Sequence, residues 1–254
     1  MRLYAIGDLH LHFGCENPVR AQRNDPLWKD HEKRFEHLAA KIRPEDTLVL
    51  VGDHSWGKKL EQCREDLDFI RRLPGTKVLL RGNHDMFWDA GRTPALNRAY
   101  EGQLFFLQNN HASFGPVALV GTKGFTFEGP FFLDRRGRVM GWDREEELRA
   151  EKLVQREAAR LRESFESARR DGFSRFILFL HYPPTSILEE DSVFTRMAME
   201  YGAEQVIYAH SHGESRYADS ILGMYRGIRY RLVSGDYLRW DPEMILELPD
   251  PAVR

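Results

Sequence analysis

Val78-Leu79-Leu80-Arg81-Gly82-Asn83-His84-Asp85 is an apolar run that stops at a glycine and continues into three side chains able to hold a metal, a phosphate oxygen or a proton. Val and Leu bounded in this way read as a buried strand and its turn. Gly82 lets the chain bend sharply or approach a ligand closely. Asn83, His84 and Asp85 then stand at the strand's carboxyl end, where open α/β sheets place their sites. By itself the same tetrapeptide also reads as an ordinary polar turn, so the rest of the chain decides.

Upstream, Leu3 to Ile6 predicts a first strand that runs into Gly7-Asp8-Leu9-His10-Leu11-His12. Thr47 to Val51 predicts a second, followed by Gly52-Asp53-His54. Asn17 to Asn24 reads as a loop. Asp25-Pro26 then opens a predicted helix, since Asp caps and Pro fits the first turn. Leu27, His31, Phe35, Leu38 and Ile42 recur along it at steps of three and four, and Pro44 ends it. Leu60, Cys63, Leu67, Ile70 and Leu73 mark a further helix, stopped by Pro74-Gly75. The order β-α-β-α-β implies parallel strands joined by helical crossovers.

Downstream, Leu104 to Leu107 and Val117 to Val120 predict strands. Lys123 to Trp142 is rich in glycine, aromatics and arginine without a period, and reads as a long loop with room for a short hairpin; such loops are often functional. Asp143 to Asp171 predicts a long helix with Asp143 and Glu146 as a capping box. Its apolar stripe is Leu148, Val154, Ala158, Leu161, Phe165 and Ala168. Phe176 to Leu180 predicts a strand ending in His181, Phe194 to Tyr201 a helix, and Gln205 to Tyr208 a strand ending in Ala209-His210-Ser211-His212-Gly213. Segments around Tyr217, Ile228 to Val233 and Met244 to Leu248 read as antiparallel strands. No repeat or linker divides the chain, so residues 1–254 read as one α/β domain.

Composition narrows the function classes. With 42% hydrophobic and 30% charged residues, the 254-residue chain has the make-up of a globular protein. A formal net charge of -2 leaves no global basic field for nucleic acid or a membrane surface. Its two cysteines, Cys15 and Cys63, form no metal-type pair and suit a reducing compartment. The apolar part of the N-terminus is too short for a signal peptide, and no apolar segment approaches the roughly 20 residues a membrane helix needs. The expectation is a cytoplasmic protein without a membrane partner.

Five predicted strands thus end in metal-ligand residue types: Asp8 and His10; Asp53; Asn83 and His84; His181; His210 and His212. In a sheet those ends share one edge, so residues far apart in sequence can meet. Asp-x-His and His-x-His place two donors on one side of an extended segment. Carboxylate, imidazole and amide oxygen, without thiolate, suit manganese, iron, zinc, cobalt or nickel.

The ordered set Asp8-Leu9-His10, Gly52-Asp53, Gly82-Asn83-His84-Asp85, His181 and Ala209-His210-Ser211-His212 resembles the calcineurin-like metallophosphoesterase superfamily. Chain length and the segments Leu180-His181-Tyr182-Pro183-Pro184-Thr185 and Ser234-Gly235-Asp236-Tyr237-Leu238 resemble, more narrowly, bacterial predicted phosphohydrolases of undefined substrate. The resemblance implies a fold of two packed mixed β-sheets flanked by helices, a four-layer α/β/β/α sandwich. It implies two divalent or trivalent metal ions, manganese first. Asp8, His10 and His212 would hold one ion, Asn83, His181 and His210 the other, and Asp53 would bridge them together with a water or hydroxide. That hydroxide would attack a phosphate mono- or diester in line. His84 would contact the phosphate and protonate the leaving oxygen, and Asn83 would serve both metal and substrate.

Two departures from the superfamily pattern stand out. Ala209 replaces the usual Gly of Gly-His-x-His. Trp56 stands where the Ser/Thr phosphatases carry an Asp that pairs with the catalytic His, and Gly57 replaces their phosphate-clamping Arg. The orienting partner of His84 is therefore left open, with Asp85 one candidate, and a protein substrate is disfavoured. The other readings are a nuclease or nucleotide phosphodiesterase, and, outside enzymes, a scaffold that keeps the fold; a scaffold would be expected to have lost ligands, and none is lost. The resemblance thus implies a phosphate-ester substrate, with a nucleotide among the candidates.

Other residues near the motifs carry weaker expectations. His12 and His54 adjoin the motifs as candidate supporting residues. His31 and His37 on a helix and His111 in a turn read as structural, and Gly235-Asp236 as a strand end or turn. Trp56, Phe87, Trp88, Phe125, Phe127 and Trp142 can stack a nucleobase but read mainly as core. Lys123, Arg135, Arg136 and Arg138 can steer a phosphate.

Overall fold

The computed structural model describes residues 1–125, 131–133, 139–142, 144–185 and 191–250. In chain order, β1 (Arg2–Ile6) leads to the short α1 (Arg20–Asn24), a 3-10 turn (His31–His37) and α2 (Leu38–Lys41). Then come β2 (Thr47–Val51), α3 (Leu60–Arg72), β3 (Thr76–Leu80), a 3-10 turn (Ala90–Arg92), α4 (Thr93–Ala99), β4 (Leu104–Leu107), β5 (His111–Phe114) and β6 (Val117–Thr122). The hairpin strands β7 (Phe131–Leu133) and β8 (Val139–Trp142) precede the long α5 (Arg144–Arg170), β9 (Arg175–Leu180), α6 (Val193–Tyr201) and β10 (Ala203–Tyr208). The chain closes with α7 (Glu214–Ala218), β11 (Gly223–Tyr225), β12 (Ile228–Leu232) and β13 (Glu243–Glu247).

Two mixed sheets result. One runs β13-β1-β2-β3-β4, the other β11-β12-β10-β9-β6-β5. In the first, β1 to β4 are parallel and β13 is an antiparallel edge. In the second, β12, β10, β9 and β6 are parallel, with β11 and β5 antiparallel at the edges. The central strands are apolar on both faces because both faces are covered. Val49, Val51, Val78 and Leu80 point inward against Val117, Leu119, Ile177 and Phe179 of the other sheet. Their neighbours Leu48, Leu50 and Leu79 point outward, into a cluster with Cys63, Leu67 and Ile70 of α3. On the far side Phe176, Leu178 and Leu180 pack against Leu161 and Phe165 of α5 and Phe194 of α6. The order helix, sheet, sheet, helix is the expected four-layer sandwich. Among the described residues no helix is long and apolar enough to cross a membrane.

Several sequence expectations are corrected. The helix predicted from Asp25 does not form as one piece: residues 20–24, read as loop, are helical, and Asp25 instead caps a turn through Leu27 N–H at 2.7 Å. Asp30 then takes a left-handed conformation, φ 52°, and His31 to His37 is 3-10. The buried His31 ring fixes this path, its nitrogens 2.8 Å from the Trp28 carbonyl and 2.5 Å from that of Leu9. The stripe's steps of 4, 4, 3 and 4 are those of an α-helix, so the 3-10 path is set by this contact and not by the spacing. His111 lies in β5, not a turn. Tyr217 lies in α7, not a strand; β12 is antiparallel to β11 as expected but parallel to β10, and β13 is antiparallel to β1 as expected. Leu148 is 40% exposed at the start of α5, outside the buried stripe. The Asp143 cap falls outside the described residues.

Candidate metal centre

The eight candidate residues follow strands in the middle of both sheets. Asp8 and His10 follow β1, Asp53 follows β2, Asn83 and His84 follow β3, His181 follows β9, and His210 and His212 follow β10. All these strands run the same way within their sheets, so their carboxyl ends meet at one edge.

The turns that carry these residues are strained. Asp8 (φ 59°), His10 (φ 44°), Asp53 (φ 53°) and His210 (φ 69°) all occupy the left-handed region. Each such non-glycine residue costs on the order of 1–3 kcal/mol and persists only where its surroundings hold it. Here the holding is by hydrogen bonds between the turns: Asp8 N–H to the Gly52 carbonyl at 2.9 Å, His10 N–H to the Asp53 carbonyl at 2.8 Å, and His210 N–H to Asp8 Oδ2 at 3.0 Å. Gly82 is required by close approach. A Cβ there would lie 2.1 Å from Asp53 Oδ1 and 2.2 Å from Asp53 N. The Ala209 departure is absorbed in the same way, since a Cβ on Gly7 would sit 2.5 Å from that of Ala209.

Asp8, His10 and His212 bring their ligand atoms within 4.8 Å of one another, and Asp53, His181 and His210 do the same. Asn83 Oδ1 lies 2.7 Å from His181 Nε2, beside the second group. His181 Nε2 is 3.3 Å from Asp53 Oδ2, and His212 Nε2 is 3.8 Å from Asp8 Oδ1. Asp8 Oδ1 and His10 Nδ1 are buried without a hydrogen-bond partner. A buried carboxylate oxygen left so is costly unless a cation meets it. Oxygen and imidazole donors converging on such orphaned atoms fit a pair of metal ions.

Electrostatics agree. Burial pushes the Asp8 carboxyl up to about 6, with His212 and His181 pulling the other way. Burial also opposes ionisation of Asp53, but His181, His10 and His84 outweigh it and hold the carboxyl well below the usual range. Burial drives His10 well below its ordinary value and His210 down to about 3, so both present neutral imidazoles able to donate a lone pair. His181 goes the other way: burial lowers it, and Asp53 more than compensates, to about 9.

Three residues have roles the sequence did not assign. Asp236, read as a turn, accepts from His212 Nδ1 at 3.0 Å and so fixes which nitrogen of that ring faces Asp8. Its Gly-Asp signature, the same as Gly52-Asp53, was the available signal. Asp85 is not the partner of His84. It is fully buried and accepts from Gly82 N–H at 2.7 Å, Asp53 N–H at 3.0 Å and His54 N–H at 2.9 Å. Trp56, in the place of the familiar Asp, stacks on His10 with ring centroids 4.4 Å apart and meets His84 edge-on, also at 4.4 Å.

His84 stands apart from both groups. Its side chain is 40% exposed, with Nε2 4.0 Å from Asp53 Oδ2. A cavity of about 460 Å³ opens onto it, lined by His10, Asp53, His210, His212, Trp28, Trp56 and Asp236. Phe87 and Trp88 belong to the core, as expected. Phe125 and Lys123 sit instead beside Tyr182, whose ring packs 4.2 Å from that of His210. Burial lowers Lys123 to about 8. Arg135, Arg136, Arg138 and Phe127 lie outside the described residues, and of Trp142 only the backbone, paired with Phe131, is described. His12 Nδ1 is 3.3 Å from the His10 carbonyl and His54 Nε2 2.9 Å from that of Leu80, so both support the turns.

Residues 1–214 match the family of calcineurin-like phosphoesterases. Among solved structures, the chain is similar to phosphopantetheinyl hydrolase from Mycobacterium tuberculosis, at 16% identity and a TM-score of 0.55, covering 100% of this chain and 98% of that one. It is also similar to the protein TT1561 of Thermus thermophilus, at 8% identity and a TM-score of 0.52, covering 96% and 97%. At these identities the likeness is one of fold. Among curated proteins, none is significantly similar.

Proposed function

The chain belongs to the calcineurin-like phosphoesterase family, a family of metal-dependent phosphohydrolases, and from that premise we propose that it hydrolyses a phosphate mono- or diester by in-line displacement at a dinuclear centre. The observation that carries this reading is the pair of ligand groups, each within 4.8 Å, around the orphaned Asp8 Oδ1 and His10 Nδ1. In this reading Asp8, His10 and His212 would hold one ion and Asn83, His181 and His210 the other, with Asp53 serving both. Manganese heads the ions these donors suit, ahead of iron, zinc, cobalt and nickel. Two such ions supply Lewis acidity toward the phosphate and a lowered pKa for water.

The remaining work falls to the chain itself. Asn83 directs its amide N–H groups at a phosphate oxygen. His84, half exposed at the cavity, donates its Nε2 proton to the leaving oxygen. Trp56, edge-on to His84, restricts that ring where a carboxylate would otherwise orient it. Trp28 and Trp56 wall the cavity beside the leaving group. The shared inner core of both sheets supports reading the chain as one catalytic domain.

The test is turnover of p-nitrophenyl phosphate and bis-p-nitrophenyl phosphate with Mn²⁺ by the wild-type protein and His84→Ala. The variant should keep its metal and lose about 10²–10⁴-fold in kcat. If the wild-type protein cleaves neither ester with Mn²⁺ or another divalent ion, the reading fails.

A further inference from the structure

Lys123 follows β6 and Arg81 follows β3, so both stand at the edge that carries the metal centre, Lys123 on the flank of His210 through Tyr182. The Lys123 side chain is 9% exposed, and its Nζ lies 5.1 Å over the Tyr182 ring and 5.6 Å over that of Phe125. It forms no hydrogen bond or ion pair among the described residues. Arg81 donates Nε–H to the Trp88 carbonyl and forms no ion pair among them either. The carboxylate that faces Lys123 among the described residues is Glu157 on α5, fully buried and already engaged: Thr122 donates to it at 2.6 Å and Arg160 at 2.5 Å, and Arg156 Nε is 3.9 Å away, while Asp85 and Asp89 face Arg81. Around Lys123 the negative charge of Glu157 is thus set against the cations Arg81, Arg156 and Arg160.

A lysine ammonium withdrawn from water without a counter-ion is destabilising, and two aromatic faces offset only part of that cost. The cluster is also fixed to the centre. Tyr182 packs on the His210 ring at 4.2 Å, and the Lys123 carbonyl accepts from both His181 N–H and Tyr182 N–H at 3.1 and 3.0 Å. The missing partner is therefore an anion lying next to the reacting phosphate.

We propose that Arg81 and Lys123 form a subsite for a second phosphate, so that the ester cleaved at the metal centre carries another phosphate on the same molecule. This rests on the phosphoesterase reading. Arg81 supplies a planar fork for two oxygens and Lys123 a point charge.

The test compares adenosine 3′,5′-bisphosphate with adenosine 5′-monophosphate, which differ by one phosphate. Binding is measured by calorimetry on Mn²⁺-loaded His84→Ala protein, so that neither ligand is turned over. The bisphosphate should bind about tenfold tighter or more. Lys123→Met and Arg81→Met should each shrink that preference to about threefold or less, while Lys123→Arg keeps it. Equal affinities in the starting protein, or a preference that survives both methionine variants, would overturn the proposal. If p-nitrophenyl phosphate and its diester are not cleaved but the preference is present, the phosphoesterase reading falls and the anion subsite stands.

Discussion

Asp85 separates two accounts of the same turn. As the orienter of His84 it would act on proton transfer; the structure has it holding backbone. Its Oδ2 accepts from Gly82 and Asp53, its Oδ1 from His54, all from inside the fold. Asp85→Ala leaves those three buried N–H groups without a partner, each worth about 1–3 kcal/mol. Partial relaxation brings the total to about 3–5 kcal/mol. Asp85→Asn keeps one oxygen for Gly82 and Asp53 but turns an amide NH₂ toward the His54 N–H, for a loss of about 1–3 kcal/mol. In a chain of this size about 2–4 °C of Tm accompanies each kcal/mol. Asp85→Ala should therefore melt about 6–20 °C below wild type, with Asp85→Asn between them. Because Asp53 is carried on the same hydrogen bonds, Mn²⁺ affinity should fall in that order too. Urea unfolding of the metal-stripped protein and calorimetric titration with Mn²⁺ read both effects. If Asp85→Ala unfolds like wild type, binds Mn²⁺ normally and only shifts the pH profile of kcat, Asp85 acts on His84 and the backbone account is wrong.

Three further outcomes follow from the geometry. Gly82→Ala would gain about 0.4–1 kcal/mol from a stiffer unfolded chain, but its Cβ would meet Asp53 at 2.1 and 2.2 Å. Displacing Asp53 should cost about 100-fold in kcat/KM for p-nitrophenyl phosphate, and activity within threefold of wild type would show the contact to be soft. Asp236→Ala should weaken Mn²⁺ binding about 10–100-fold by freeing His212 Nδ1; an unchanged Kd by calorimetry would mean the ring needs no such anchor. Asp46 is opposed by burial but held below its ordinary 3.8 by Arg43 and by the Arg43 and Arg2 backbone N–H groups. A carboxyl depressed on folding adds stability above its unfolded pKa and loses it as pH falls through the folded one. Wild type should thus lose stability more steeply than Asp46→Asn below about pH 4, and parallel acid unfolding curves would count against that pairing.

What was legible in the sequence, and what was not, follows from how each feature is encoded. Strands buried on both faces announce themselves as unbroken apolar runs, so β1, β2, β3, β9 and β10 were readable, and the ligand types at their ends with them. The edge strand β5, His111–Phe114, carries one buried residue and no such run. The segment after Asp25 was misread because its path is set by His31 reaching carbonyls at Trp28 and Leu9, a tertiary contact that periodicity does not record. The same distinction divides the site. Asp8, His10, Asp53, His181, His210 and His212 are visible because strand direction alone brings them to one edge. Asp85 and Asp236 look alike in sequence, each an aspartate in a glycine-containing turn beside the motifs, yet one holds backbone and the other a histidine ring. Only the approach of another turn decides which: the N–H groups of Asp53 and His54 for Asp85, and His212 Nδ1 for Asp236. Lys123 belongs with them. Its charge is plain in the sequence, but that the charge is buried, with no ion pair among the described residues, depends on Tyr182 and Phe125 closing around it. Topology thus places the candidate ligands at one edge, whereas the residues that orient them, and those that would choose the substrate, are set by contacts between turns.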